Sequence, residues 1–103
     1  MATDSDSLAV EAVSPLPNPN PTALKIRLRG VAGQLRVDLW SRAFRRVGRV
    51  ELAGPLGPGW TTVTLPPQLL AELPNGGYFL TVQAAKSGRS PVQARPGRFY
   101  LAR

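Results

Sequence analysis

Residues 24 to 29, Leu-Lys-Ile-Arg-Leu-Arg, alternate between apolar and basic side chains. This period of two describes a half-buried strand with Leu24, Ile26 and Leu28 on one face and Lys25, Arg27 and Arg29 on the other, ended by Gly30. Residues 34 to 40 repeat the device, with Leu35, Val37 and Leu39 inward and Arg36, Asp38 and Trp40 outward. The connection between the two, Gly30 to Gly33, is hairpin-sized. Residues 41 to 46 turn the chain into Val47 to Leu52, a weaker strand in which Gly48 reads as a bulge. A fourth strand covers residues 60 to 65, with Thr61, Val63 and Leu65 opposite Trp60, Thr62 and Thr64. Tyr78, Leu80 and Val82 then alternate with Phe79, Thr81 and Gln83, and large side chains on both faces mark a central strand. Residues 98 to 103 close the chain with Phe99 and Leu101 inward.

The punctuation is as informative as the strands. Leu8, Val10 and Ala12 share one side of a weak N-terminal strand, and Val92 to Ala94 form a brief edge segment inside the long polar connection 85 to 97. Pro15, Pro17, Pro19 and Pro21 stand at every second position, which excludes helix and stiffens the path. Residues 53 to 59 read as a Pro/Gly loop. Pro66 and Pro67 open a helical turn that groups Leu69, Leu70 and Leu73 and stops at Pro74. The expectation is an all-β, immunoglobulin or fibronectin III-like antiparallel sandwich of about seven strands with one short helical turn. Residues 1 to 23 read as an extended, acidic, Pro-rich arm, disordered over residues 1 to 7, and residues 24 to 103 as the sandwich.

Composition narrows the chemistry more than it suggests any. At 103 residues the chain has room for one domain, and 10 Gly with 11 Pro favour many short elements. There is no Cys and no His, so disulfides, thiolate nucleophiles and the commonest general base and metal ligand are all lacking. Asp38, Glu51 and Glu72 have no spacing that suggests acid–base work, and residues 54 to 59 lack the Lys of a phosphate loop. No catalytic, cofactor-binding or metal-binding residue is read, and no cofactor is expected. No apolar run approaches the ~20 residues of a membrane-spanning helix. The N-terminus carries Asp4 and Asp6 and no basic residue, the reverse of a signal peptide, which fits a cytoplasmic protein or a portion of a longer one.

Charge supplies the candidate contacts. The net charge is +7, and because residues 1 to 23 hold three acidic groups and no basic one, the remainder carries 13 basic against three acidic, or +10. Eleven of the 13 basic residues are Arg, the side chain suited to carboxylate and phosphate, although a base-composition bias gives the same count. Lys25, Arg27 and Arg29, with Arg36 as a neighbour, form a basic stripe that meets an acidic partner or phosphate, or is simply a solvated face that protects an edge. Arg42, Phe44, Arg45 and Arg46, with Arg49, form a second cluster in which Phe44 is either a partner anchor or tucked under the turn. The arm pairs with the edge of its own sandwich or with that of another copy.

Read in order, Pro17-Asn18-Pro19, the strand-turn-strand 35 to 47, Gly57 to Leu65, Leu73-Pro74-Asn75-Gly76-Gly77-Tyr78 and the closing Phe99 to Arg103 resemble a known pattern. It is that of the C-terminal sorting domains of proteins exported by the bacterial type IX route, and of the related immunoglobulin-like domain of the flagellar hook-capping protein. Trp40-Ser41 stands where an aromatic-Asp pair is usual, and Phe44 at the usual Gly, so that turn departs from the pattern. Pro74, Asn75, Gly76, Gly77 and Tyr78 are read as a structural corner: Pro sets the entry angle, Gly supplies a positive φ, and the Tyr hydroxyl seeks a backbone partner.

The resemblance implies a non-catalytic bacterial module for assembly, surface attachment or export, placed at the cell surface or outside the cell. Its partner would be another protein or further copies of itself, as a homo-oligomer or filament. The alternative is an electrostatic binder of nucleic acid or another polyanion.

Overall fold

The computed structural model describes residues 8–16, 18, 20–86 and 90–103. The expected disorder of residues 1 to 7, and Pro17 and Pro19 of the lead-in, lie outside the described residues. Two antiparallel sheets pack face to face as an immunoglobulin-like sandwich. The first sheet runs β1 (Ala9–Leu16), β2 (Ala23–Arg29), β5 (Gly59–Thr64). The second runs β4 (Arg46–Leu56), β3 (Ala32–Trp40), β6 (Gly76–Ala85), and the far edge of β6 is shared by β7 (Val92–Gln93) and β8 (Gly97–Leu101).

The alternating rows meet between the sheets. Leu24, Ile26, Leu28, Val63 and Leu65 come from the first sheet, and Leu35, Val37, Leu39, Leu80, Val82, Phe99 and Leu101 from the second; all are buried. Burial of these rows holds the sheets together without a disulfide, each Leu, Ile or Phe contributing roughly 1.5–3 kcal/mol. The short helix α1 (Pro67–Ala71) adds Leu70 to the core.

Several expectations change in detail. The hairpin-sized connection after β2 makes no hairpin. Gly30, at φ 86°, turns the chain from the first sheet into the second, so the Leu rows of β2 and β3 face each other across the core. The N-terminal segment pairs with its own sandwich along β2, and the strand continues through Pro15 to Leu16, where a stiff connector was expected. A bulge at Glu11 changes its parity, so Leu8, Val10 and Val13, rather than Ala12, pack on the core. Strand β4 also runs on to Leu56 into the expected loop. Its extra residue near the turn is Val47; a Cβ on Gly48 would lie 2.6 Å from Leu69 Cδ2, so a side chain there would displace the Leu69 methyls that pack on the strand.

The far edge of β8 is closed by asparagines. Asn20 donates its backbone N–H to Tyr100 O at 2.7 Å, while its side chain accepts from Ala102 N at 2.8 Å and donates to Ala102 O at 3.0 Å. Asn18 Oδ1 accepts from Tyr100 N; on the opposite side of the strand, next to β6, Asn75 exchanges a like pair with Arg103, both bonds at 3.0 Å. The outward backbone groups of Tyr100 and Ala102, which would otherwise invite another strand, are thereby taken.

Candidate functional site

The two sheets separate the basic residues that looked contiguous along the chain. Lys25, Arg27 and Arg29 stand exposed on the outer face of the first sheet. Register places Arg27 opposite Trp60 of β5, 57% exposed, and Lys25 opposite Thr62. Glu11, the bulge residue, approaches Arg27 at 3.5 Å. Arg36 does not extend this stripe, because β3 belongs to the other sheet. The aromatic beside the stripe is Trp60, whose outward parity was legible but whose neighbour was not.

On the outer face of the second sheet, Arg36 and Arg49 flank a single carboxylate. Arg49 Nε donates to Asp38 Oδ1 at 2.7 Å, and Arg36 Nε lies 3.4 Å from Asp38 Oδ2, with the Asp38 side chain only 7% exposed. The Arg36 guanidinium also donates to Gln83 Oε1, and Gln34 Nε2 donates to Glu51 Oε2. Arg49, grouped by sequence with the loop arginines, is thus drawn into a network within the sheet.

Toward the β3–β4 turn the same face changes character. Register lines up Arg46 of β4, Trp40 of β3, Phe79 of β6 and Arg98 of β8 in one cross-strand row. The turn itself is closed by Ser41, whose N–H donates to Arg45 O at 2.8 Å, whose carbonyl accepts from Phe44 N at 2.9 Å, and whose hydroxyl accepts from Arg45 N at 3.2 Å. This path leaves Phe44 at φ 61°, a left-handed conformation that a bulky L-residue resists.

Phe44 is not under the turn. Its ring, 72% exposed as a residue, lies over the sheet and stacks on Phe79 with centroids 5.3 Å apart and planes 6° from parallel. Arg98 places its guanidinium carbon 5.7 Å from the Phe79 centroid. Trp40 donates its indole N–H to the Thr81 hydroxyl at 3.0 Å.

Two grooves share Phe79 as a wall. The larger, of 360 Å³, is lined by Trp40, Phe44, Phe79, Thr81 and Pro96 and presents carbon throughout. The smaller, of 220 Å³, is lined by Arg42, Gly77, Tyr78, Phe79, Arg98 and Tyr100. Beneath it the corner is rigid: Gly76 has φ 145°, Tyr78 stacks inward on Phe99 at 5.3 Å, and the Tyr78 hydroxyl donates to Pro74 O at 2.6 Å. A Cβ on Gly77 would sit 3.2 Å from the Tyr100 ring, so an Ala there would require that ring to shift by a few tenths of an ångström.

Of the sequence candidates, Phe44 and Arg42 reach this site, and exposed Arg45 and Arg46 lie beside it. Phe79, Arg98, Tyr100 and Pro96 were missed. Alternation along the strand sets Phe79 outward, but its neighbours become visible only when β8 is paired with β6. Among the described residues the three ion pairs lie elsewhere, and no ion pair involves Arg42, Arg45, Arg46 or Arg98. No group of three acidic, His or Cys side chains suited to a metal ion occurs among the described residues, nor any helix long and apolar enough to cross a membrane.

No family model and no curated protein matches the chain. Among solved structures it is similar to CopC from Methylosinus trichosporium OB3b, with a TM-score of 0.60 and 18% identity over 92% of this chain and 93% of that one. At that identity the likeness speaks for the sandwich fold alone.

Proposed function

We propose that the chain is a non-catalytic interaction module that engages a protein partner through the aromatic and arginine half of its second sheet. The observation that carries this reading is Phe44, held in a costly backbone conformation with its ring exposed at the rim of a carbon-lined groove. An exposed aromatic flanked by arginines that form no ion pair among the described residues is the composition of an interface anchor, and backbone strain kept at one surface residue is a pointer to function. The resemblance to sorting and appendage domains supports assembly, surface attachment or export as the setting. The asparagine-closed β8 edge argues for contact through this face and against strand addition at that edge.

A second reading, electrostatic binding of nucleic acid or another polyanion, is favoured by one observation: Trp60 stands in register with Arg27 on the outer basic face of the first sheet. Partner capture from a cell extract by the immobilised chain separates the two. Under the protein-partner reading, Phe44→Ser abolishes capture of a discrete protein and Trp60→Ser preserves it. Retention of nucleic acid that Trp60→Ser abolishes and Phe44→Ser leaves intact would replace it with the polyanion reading.

A further inference from the structure

Resting on the reading that this face is the binding surface, we infer that its occupant is an extended polypeptide segment carrying an aromatic side chain beside carboxylates. The larger groove presents carbon throughout, and the Thr81 hydroxyl that lines it is engaged by the Trp40 indole N–H. A ring or large apolar side chain is what such a wall can desolvate to advantage. The smaller one, across Phe79, is lined by the guanidinium-bearing side chains of Arg42 and Arg98, neither in an ion pair with the described residues. A carboxylate is the protein group that matches guanidinium donors. Two adjoining grooves, one carbon-lined and one mixed with two guanidinium groups, share one wall and so match neighbouring residues of a single segment.

Charge agrees with this. The sandwich carries +10 outside the arm, so the same body on a second copy would be repelled, while an acidic segment is drawn in. Single-stranded nucleic acid fits this face less well. Such ligands stack successive bases on open ring faces, and here the Phe79 ring is already engaged by the Phe44 ring and the Arg98 guanidinium.

The test is an NMR titration of the isotope-labelled chain, at low and moderate salt, with four probes. Three are blocked hexapeptides: Gly-Asp-Glu-Phe-Asp-Gly, its Ala counterpart in place of Phe, and its amide counterpart Gly-Asn-Gln-Phe-Asn-Gly. The fourth is a short oligothymidylate. The acidic Phe peptide is expected to shift the Phe44 and Phe79 resonances and to bind at least about fivefold tighter than either control peptide. Phe44→Ala should weaken it by about tenfold, as for an anchor residue. The Arg42→Gln/Arg98→Gln double variant should erase the preference for acid over amide while keeping that for Phe over Ala. All three residues lie on the surface, and an unchanged amide spectrum in the free variants establishes that they fold.

Equal binding of the acidic Phe peptide and either control overturns the inference. If oligothymidylate then shifts the same resonances, the face remains a binding surface and only the peptide occupant falls. If no probe shifts them, the inference falls as well, and the capture experiment decides the proposed function separately.

Discussion

The outer face of the second sheet has two halves, and both are built with arginine. In one, Arg36 and Arg49 close on Asp38, which is 5% exposed as a residue, and Gln83 takes a further guanidinium bond. In the other, Arg42 and Arg98 stand among Trp40, Phe44, Phe79 and Tyr100 with no carboxylate paired to them among the described residues. The first half has spent its charge internally and holds β3, β4 and β6 in register. The second keeps its charge and its carbon surface for something outside the chain. Residue type alone does not mark a binding surface; what matters is whether the fold has already supplied the partner.

The largest effect should come from breaking the satisfied half. Asp38→Ala leaves two guanidiniums facing each other, one with a buried Nε that has no hydrogen bond of its own. Both arginines are about a third exposed and regain some hydration, which holds the expected loss to about 2–3 kcal/mol, below the range for a fully buried pair. Urea unfolding checks this; a loss under about 0.5 kcal/mol would mean the network contributes nothing to the fold. Peptide binding at the aromatic half should persist in this variant.

Much of the satisfied half was legible in the chain. Arg36, Asp38 and Trp40 share one parity of one strand, and a central β6 followed from large residues on both its faces. Their partners were not legible, since pairing of β3 with β4 and β6 brings together residues 11 and 47 positions apart. The aromatic half was harder still. Arg98 and Tyr100 reach it only because β8 returns to the edge of β6, and Phe44 only because its turn adopts a conformation that sequence normally announces with Gly. The same blindness to sheet assignment put Arg36 beside Lys25, Arg27 and Arg29. Alternation tells which side of a strand a residue occupies and nothing about which sheet the strand joins.

A smaller effect measures whether the aromatic half is itself organised. A double-mutant cycle over Phe44→Ala and Phe79→Ala should give a coupling of about 1 kcal/mol, the range for stacked rings beyond their buried area. A coupling below about 0.3 kcal/mol would show that Phe44 moves freely over the face, and the larger groove would lose its fixed wall.

The smallest effect on stability discriminates best. Phe44→Gly removes the ring but also the cost of holding a side chain at φ 61°. Loss of the stack, about 1 kcal/mol, is then offset by relief of a left-handed backbone, about 1 kcal/mol, so the variant should unfold within about 0.5 kcal/mol of the parent. Phe44→Ala loses the stack and keeps the backbone cost, so it should be about 1 kcal/mol less stable than the Gly variant. Equal stability of the two would mean the turn imposes no strain, and the case that Phe44 is retained at a cost would collapse. If the Gly variant matches the parent in stability while losing the peptide, the residue at this turn is kept for binding and the fold would accept the Gly that other such turns use.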